Sequence, residues 1–435
     1  MDFFRSAAAA GLAIMLALQP GSGIAGVGAT VKRSAVGSAL HVVAVASTPD
    51  SKPFGSLGTQ PARYGYVEEE FFVSGAARAY AWAGPGFAIR AISEPGPYTI
   101  RILVLRPQDP KRFSGNAEVE LLNSSRGYDD SVTLTTSADL IMERGDVFIG
   151  VTSKALAVNA LKRFDPERYA GLAWSNPVPE EDRCASPSIF PSFMKGRAPD
   201  NLLGSNSASE DGLIYEIYAQ IGAFLKGARR GEILPGFARP RLFSTGTSQS
   251  GMLQRTYLNA IHPSMRLADG GPIYDGYLIE VAPGVERINQ CSDDIYPKDP
   301  RNLLRRVDVP VIDILSEGDM KLGQYHRQPE RIGLHSGLVG YEIAGGAHLP
   351  GISRVAFAGD PPAPATQGEG DFVFPRGYVS RAALTHLQRW AGAGVRPPAG
   401  RRLPVSRGVF AHAPSRRFVA GCAAEINDGC GANAA

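Results

Sequence analysis

An α/β fold, in which a mostly parallel sheet carries helices on both faces, is what this chain of 435 residues predicts. Three observations point there. Short apolar runs such as Val309–Leu315 and Leu338–Ile343 lack the polar alternation of half-exposed strands, so they read as strands buried on both sides. Between such runs lie segments of helical period: within Leu213–Lys226, residues Ile214, Ile217, Tyr218, Ile221 and Leu225 share one face. Small or charged residues then follow the strand ends, the edge on which open α/β sheets place their chemistry.

Taken in order, residues 1–29 read as a secretory signal. Arg5 precedes the apolar run Ala7–Leu18, and small-residue sites follow at Gly23-Ile24-Ala25 and Val27-Gly28-Ala29. The run is shorter than the roughly 20 apolar residues a spanning helix needs, so the expected location is secreted or periplasmic, with no stable membrane anchor. Residues 30–435 then form one domain. Its first part, 30–95, is rich in Gly and Ser with alternating patches such as Tyr64–Val73, and reads as an added antiparallel β region. Tyr98–Leu105 and Ala117–Leu122 are expected strands, and a helix near Ser137–Arg144 leads into a strand at Val147–Thr152. Residues 160–210 are rich in Pro, Ser and Asn without a clear period, the mark of a lid or binding insertion. Helix Leu213–Lys226 precedes the strand Arg241–Ser244; Tyr277–Val281 is the next strand and Tyr378–Trp390 a closing helix.

The stretch Gly246-Thr247-Ser248-Gln249-Ser250-Gly251 falls between an expected strand and a helix reaching to about His262, and reads as a nucleophile elbow. A serine on so tight a turn needs small neighbours two places before and two after. Ser248 has Gly246 and Ser250; Ser250 as nucleophile would face the bulky Met252. The second glycine falls one place later than in the strict G-x-S-x-G pattern, at Gly251.

Downstream, the strand Val309–Leu315 ends in Ser316-Glu317-Gly318-Asp319, and the next apolar run ends in Ala344-Gly345-Gly346-Ala347-His348. The order Ser248, Asp319, His348 is that of an α/β-hydrolase triad: nucleophile, acid, histidine. A serine hydroxyl attacks only when an imidazole takes its proton, and a carboxylate must hold that imidazole in one tautomer. Asp319 occupies the usual turn position; Glu317, nearer the strand end, is the alternative acid. The oxyanion needs N–H donors, expected from the backbone of Gln249 and from the loop after Ala117–Leu122, around Asn123 to Ser125.

The formal net charge of +3 gives no reason to expect a nucleic-acid partner. Gly21–Gly26 matches G-x-G-x-x-G, but it lies in the leader with no strand before it, and no Cys or His pair has zinc-ligand spacing. No cofactor or metal is expected. Four cysteines allow three pairings. Cys422 and Cys430 bracket a short tail, which leaves Cys184 and Cys291, and the choice stays open.

Several segments, in order, resemble the bacterial alpha/beta hydrolase domain family. They are Arg106-Pro107, Phe113-Ser114-Gly115, Val119–Asn123, Gly145–Val151, Phe164–Tyr169, Ser248–Gly251, Asp275-Gly276, Glu317–Asp319, Gly346–His348 and Leu387–Pro398. The elbow, with its displaced glycine, is similar to that of glucuronoyl esterases, whose equivalent serine is the nucleophile. The resemblance implies an α/β-hydrolase fold, Ser248 as nucleophile, and an exported serine hydrolase acting on a small-molecule or carbohydrate-linked carboxylic ester through an acyl-enzyme. It carries both a glutamate and an aspartate at the acid position, and it fixes neither the acyl nor the alcohol group of the ester. An acyltransferase using the same residues, or a catalytically silent fold serving as a binding module, are the alternatives; nothing in the sequence sets an oligomeric state.

Overall fold

Strands that are apolar on both faces need cover on both, and the chain supplies it. A computed structural model describes residues 30, 33–37, 39–184, 207–293, 295, 299–321, 327–346, 348, 376–406 and 409–410. The expected leader, residues 185–206, Cys422 and Cys430 lie outside the described residues.

Among the described residues the main sheet has eleven strands. Its principal members are β1 (His41–Val45), β2 (Tyr66–Ala77), β3 (Gly96–Pro107), β4 (Asn116–Leu121), β5 (Val147–Val151), β6 (Arg241–Thr247), β7 (Gly276–Glu280), β8 (Pro310–Ser316) and β9 (Gly337–Ile343). Across the sheet the order is β9-β8-β7-β6-β4-β5-β3-β2-β1, with Arg331–Ile332 on the β9 edge and Ala173–Trp174 paired to β3. Strands β5 to β9 and β4 run parallel, while β1, β2 and β3 form the antiparallel wing. The N-terminal region is therefore continuous with the catalytic-type sheet.

Helices α1 (Val132–Arg144), α2 (Ala155–Phe164), α3 (Ile214–Lys226), α4 (Gln249–Thr256), α5 (Glu317–Lys321) and α6 (Arg376–Ala393) connect and cover the strands. Successive residues of β6 point to opposite faces. Leu242 enters the core shared with Ile217, Ile221 and Leu253, whereas Phe243 enters the one shared with Leu384, Leu387 and Trp390 of α6. Layering of this kind is why the parallel strands read as unbroken apolar runs.

Some boundaries differ from expectation. Helix α1 begins five residues before Ser137, because the Ser131 hydroxyl accepts the Leu134 N–H at 3.2 Å and caps it there. Helix α4 starts at Gln249 rather than Gly251 and passes into a π turn at Tyr257–Ile261. The segment expected as an irregular insertion from residue 160 starts inside α2, and Tyr169, Leu172, Trp174 and Val178 are buried in the main core. As far as Val178 it contributes to the body of the fold. Its end is pinned by a disulfide between Cys184 and Cys291.

Candidate active site

One residue makes the turn between β6 and α4. Ser248 has φ 55° and ψ −122°, outside the regions ordinary side chains prefer, which costs about 1–3 kcal/mol. The surroundings hold it there: its N–H donates to Glu280 O at 2.9 Å, and its carbonyl accepts the Met252 N–H at 2.9 Å. The glycines answer to space. A Cβ on Gly246 would stand 2.9 Å from Ser250 O, and one on Gly251 would stand 2.9 Å from Ala282 Cβ and 3.0 Å from Gly246 O. The helix crosses the strand end at Gly251, so the late glycine meets the same need for close approach. Ser250 is buried in the turn: its Oγ donates to Thr247 O and accepts the Thr247 N–H, both at 3.0 Å. It holds the elbow shut.

Strands β8 and β9 bring the other groups to the same edge. Ser248 Oγ lies 2.7 Å from His348 Nε2, and His348 Nδ1 lies 2.5 Å from Asp319 Oδ1. An ionised carboxylate only accepts, so Nδ1 carries the proton and Nε2 is left to accept from the serine hydroxyl. Asp319 is 1% exposed, and its other oxygen accepts the Ser316 hydroxyl at 2.5 Å. Glu317 instead accepts the Gly345 N–H at 2.9 Å, bracing the turn that leads to the histidine. The geometry joins Asp319, not Glu317, to the imidazole. His262, at the far end of the elbow helix, bonds Tyr277 and Asp308.

The donor side is set by topology. Strand β4 lies beside β6 while β5 lies on its other side, so the sheet order reverses there and the loop after β4 faces the elbow. Gln249 heads α4, and first-turn N–H groups have no partner within a helix. Asn123 departs from expectation. Its backbone N–H donates to Asp130 O at 2.9 Å and its side-chain amide to Thr247 O at 2.7 Å, so it ties the loop to the elbow strand. The loop donor turned to the elbow is the Ser124 N–H, 3.4 Å from Gln249 Oε1. Behind it, Gln249 Nε2 is 3.4 Å from Glu286 Oε2, and Lys154 Nζ is 3.9 Å from the same oxygen. Burial pushes the Glu286 carboxyl upward, against the nearby Lys154 charge.

Two residues at this edge escaped sequence reading. Arg376, the first residue of α6, donates from Nη1 to His348 O at 2.5 Å. Glu280, the last residue of β7, has Oε2 3.7 Å from Arg376 Nε and accepts the Ser380 hydroxyl at 2.6 Å. Glu280 carried the same signal as Asp319, a carboxylate closing an apolar strand; Arg376 had none. Among the described residues no cluster of His, Cys, Asp and Glu is arranged to hold a metal ion, and no helix is long and apolar enough to cross a membrane.

With this geometry in hand, comparison with known proteins is direct. No curated protein matches the chain. Solved structures similar to it include a glucuronoyl esterase from Solibacter usitatus, at 8% identity and TM-score 0.30, covering 66% of this chain and 71% of the other. A cold-adapted esterase from an Arctic intertidal metagenomic library is similar at 10% identity and TM-score 0.28, over 64% and 86%. A dienelactone hydrolase from Anabaena variabilis is similar at 9% identity and TM-score 0.27, over 63% and 88%. The family model described as "Alpha/beta hydrolase domain" matches residues 41–419. On the strength of that match, the chain belongs to the alpha/beta hydrolase domain family.

Proposed function

We propose that the chain is an exported serine hydrolase that cleaves a carboxylic ester through an acyl-enzyme. The observation that carries this reading is the hydrogen-bonded line Ser248 Oγ, His348 Nε2, His348 Nδ1, Asp319 Oδ1, with distances of 2.7 and 2.5 Å. Ser248 Oγ bonds to the ester carbonyl carbon as His348 Nε2 takes its proton, and Asp319 stabilises the imidazolium. The carbonyl oxygen becomes an oxyanion that accepts from the Gln249 N–H and from the Ser124 N–H, which it draws off the Gln249 side-chain oxygen 3.4 Å away. The imidazolium returns its proton to the departing alcohol oxygen, leaving acyl-Ser248. Water then repeats the sequence: His348 removes its proton, the tetrahedral adduct collapses, and Ser248 leaves with the proton restored.

Export rests on the leader pattern of residues 1–29, and the Cys184–Cys291 disulfide suits an oxidising compartment. A small-molecule or carbohydrate-linked ester as substrate rests on the elbow's likeness to glucuronoyl esterases.

A fluorophosphonate probe tests the reading. It should label the wild-type protein at Ser248 and leave Ser248→Ala unlabelled, while that variant loses ester turnover by on the order of 10⁴–10⁶-fold. Well-folded wild-type protein that takes no label would overturn the assignment in favour of a binding module. Chromogenic esters graded by acyl length and alcohol bulk should turn over with water as acceptor. An added alcohol or amine that consumes most of the acyl-enzyme would make the protein a transferase.

A further inference from the structure

Ser248 and His348 are connected twice. One connection is the direct bond between hydroxyl and imidazole at 2.7 Å. The other runs behind it. The Ser248 N–H donates to Glu280 O; the Glu280 side chain faces Arg376; and Arg376 Nη1 donates to the carbonyl of His348 at 2.5 Å. Glu280 thus bonds the nucleophile's N–H through its backbone carbonyl, and its carboxylate pairs at 3.7 Å with the arginine that holds the base's backbone.

We propose that Arg376, seated by Glu280 and Ser380, is a positioning residue that sets the height of the His348 imidazole above Ser248. The inference rests on reading these two as nucleophile and base. The His348 side chain is 43% exposed, so packing does not clamp the ring. Among the described residues its hydrogen-bond partners are Ser248, Asp319 and Arg376. Bonds at the two ring nitrogens define a line between Oγ and Oδ1, yet a ring held only at those points still travels with its backbone. The bond from Arg376 to the His348 carbonyl removes that freedom.

The arginine's own surroundings favour this role over one in stability alone. Arg376 is 1% exposed and Glu280 4%, and burying such charges carries a desolvation cost that their mutual attraction must offset. Among the described residues Arg376 Nε and Nη2 have no hydrogen-bond partner, and the guanidinium's hydrogen bond runs from Nη1 to the carbonyl next to the reacting ring. Buried donors left unmatched call for a reason. Arg255, on the elbow helix, also has its Nε without a partner among the described residues, but it meets Asp313 at 2.9 Å and Asn302 O at 3.0 Å, stitching that helix to β8 and the loop before it. Asp319 adds a second counter-charge near Arg376.

The test pairs Arg376→Met with Glu280→Gln, so that neither partner is left charged and buried alone. On an ester that the wild type hydrolyses, the double variant should keep its thermal melt and a KM within about twofold, while kcat falls about 10- to 100-fold, the scale expected for a misplaced catalytic group. Its kcat should equal that of Arg376→Met alone, because Glu280 acts through the arginine. Arg376→Lys keeps the charge but lacks the fork that spans both carbonyl and carboxylate; it should show the same kcat-selective loss, and it carries the test if the double variant does not fold. Wild-type kcat in the double variant or in folded Arg376→Lys overturns the proposal, as does a loss confined to KM or independent additive effects of the two single changes. Ser248→Ala separates the two levels. If it retains turnover, the serine reading itself falls; if it is inactive while the double variant runs at wild-type rate, only the positioning role falls.

Discussion

The two sides of the site are built in opposite ways. The elbow is mainly local: Gly246, Thr247, Ser250 and Gly251 meet through contacts spanning a handful of residues, and one outside bond, from the Ser248 N–H to Glu280 O, anchors the turn to β7. The histidine side is assembled at long range. His348 meets a carboxylate 29 residues away, a serine 100 away and an arginine 28 away on another helix. A nucleophile needs an unusual backbone, which short sequence can specify. A base needs placement against two partners at once, which only packed strands and helices supply.

With Ser248 itself left intact, breaking the assembled side should have the largest effect. Asp319→Asn should reduce kcat by on the order of 10³–10⁴-fold, because a neutral amide no longer favours the tautomer that leaves Nε2 free. Glu317→Gln retains an oxygen for the Gly345 N–H and should cost no more than about threefold. Steady-state kinetics on one ester decides, and two equally mild losses would place the acid elsewhere.

The local side should break in stability before it breaks in rate. Gly251→Ala sets a Cβ 2.9 Å from that of Ala282 and 3.0 Å from Gly246 O, both parts of tightly packed elements. Overpacking there should cost about 1–3 kcal/mol, seen as a lowered melting temperature. An unchanged melt would mean that the helix is freer to shift than these distances allow.

The smallest expected effect sharpens the comparison at the wall behind the elbow. Burial pushes the Glu210 carboxyl up to about 7, while its Oε1 accepts the Gly212 and Gln290 N–H groups at 2.8 and 2.9 Å. Unfolded, the same group titrates near its ordinary value of 4.5. Between those two values the folded state keeps a proton that the unfolded state releases. The group's stability contribution is therefore complete below the lower value and is lost as pH rises through the upper one. Glu210→Gln keeps an acceptor for both N–H groups and removes that loss. Its melting temperature relative to wild type should climb between pH 5 and pH 8, and a flat or falling difference would refute the assignment.

Reading the sequence located the parallel strands well, because burial on both faces leaves unbroken apolar runs. It placed Ser248 through the small residues around it, and the structure now gives Gly251 a spatial reason. It was weaker wherever a side chain's role depends on what lies across the sheet. Asp319 and Glu317 sit on one turn with the same chemistry, and only the direction of that turn toward β9 separates them. Asn123 was expected as a donor from its loop, but the adjoining strand ends draw its N–H groups to Asp130 and Thr247, and Ser124 faces the elbow. Helix α2 went unassigned: its last residues, from 160 on, fell in a stretch whose composition suggested irregular structure. The cysteine pairing was open by counting and is closed for Cys184 and Cys291 by proximity.

What the chain determined by itself was the layered α/β architecture and the strained serine turn, because burial periodicity and backbone sterics act between near neighbours. What only the tertiary structure decided was which acid meets His348, which loop N–H faces the elbow and that Arg376 reaches the His348 carbonyl. Those choices depend on the relative placement of β4, β6, β7, β8, β9 and α6, and hydrogen bonds tolerate only a few tenths of an ångström of error in that placement.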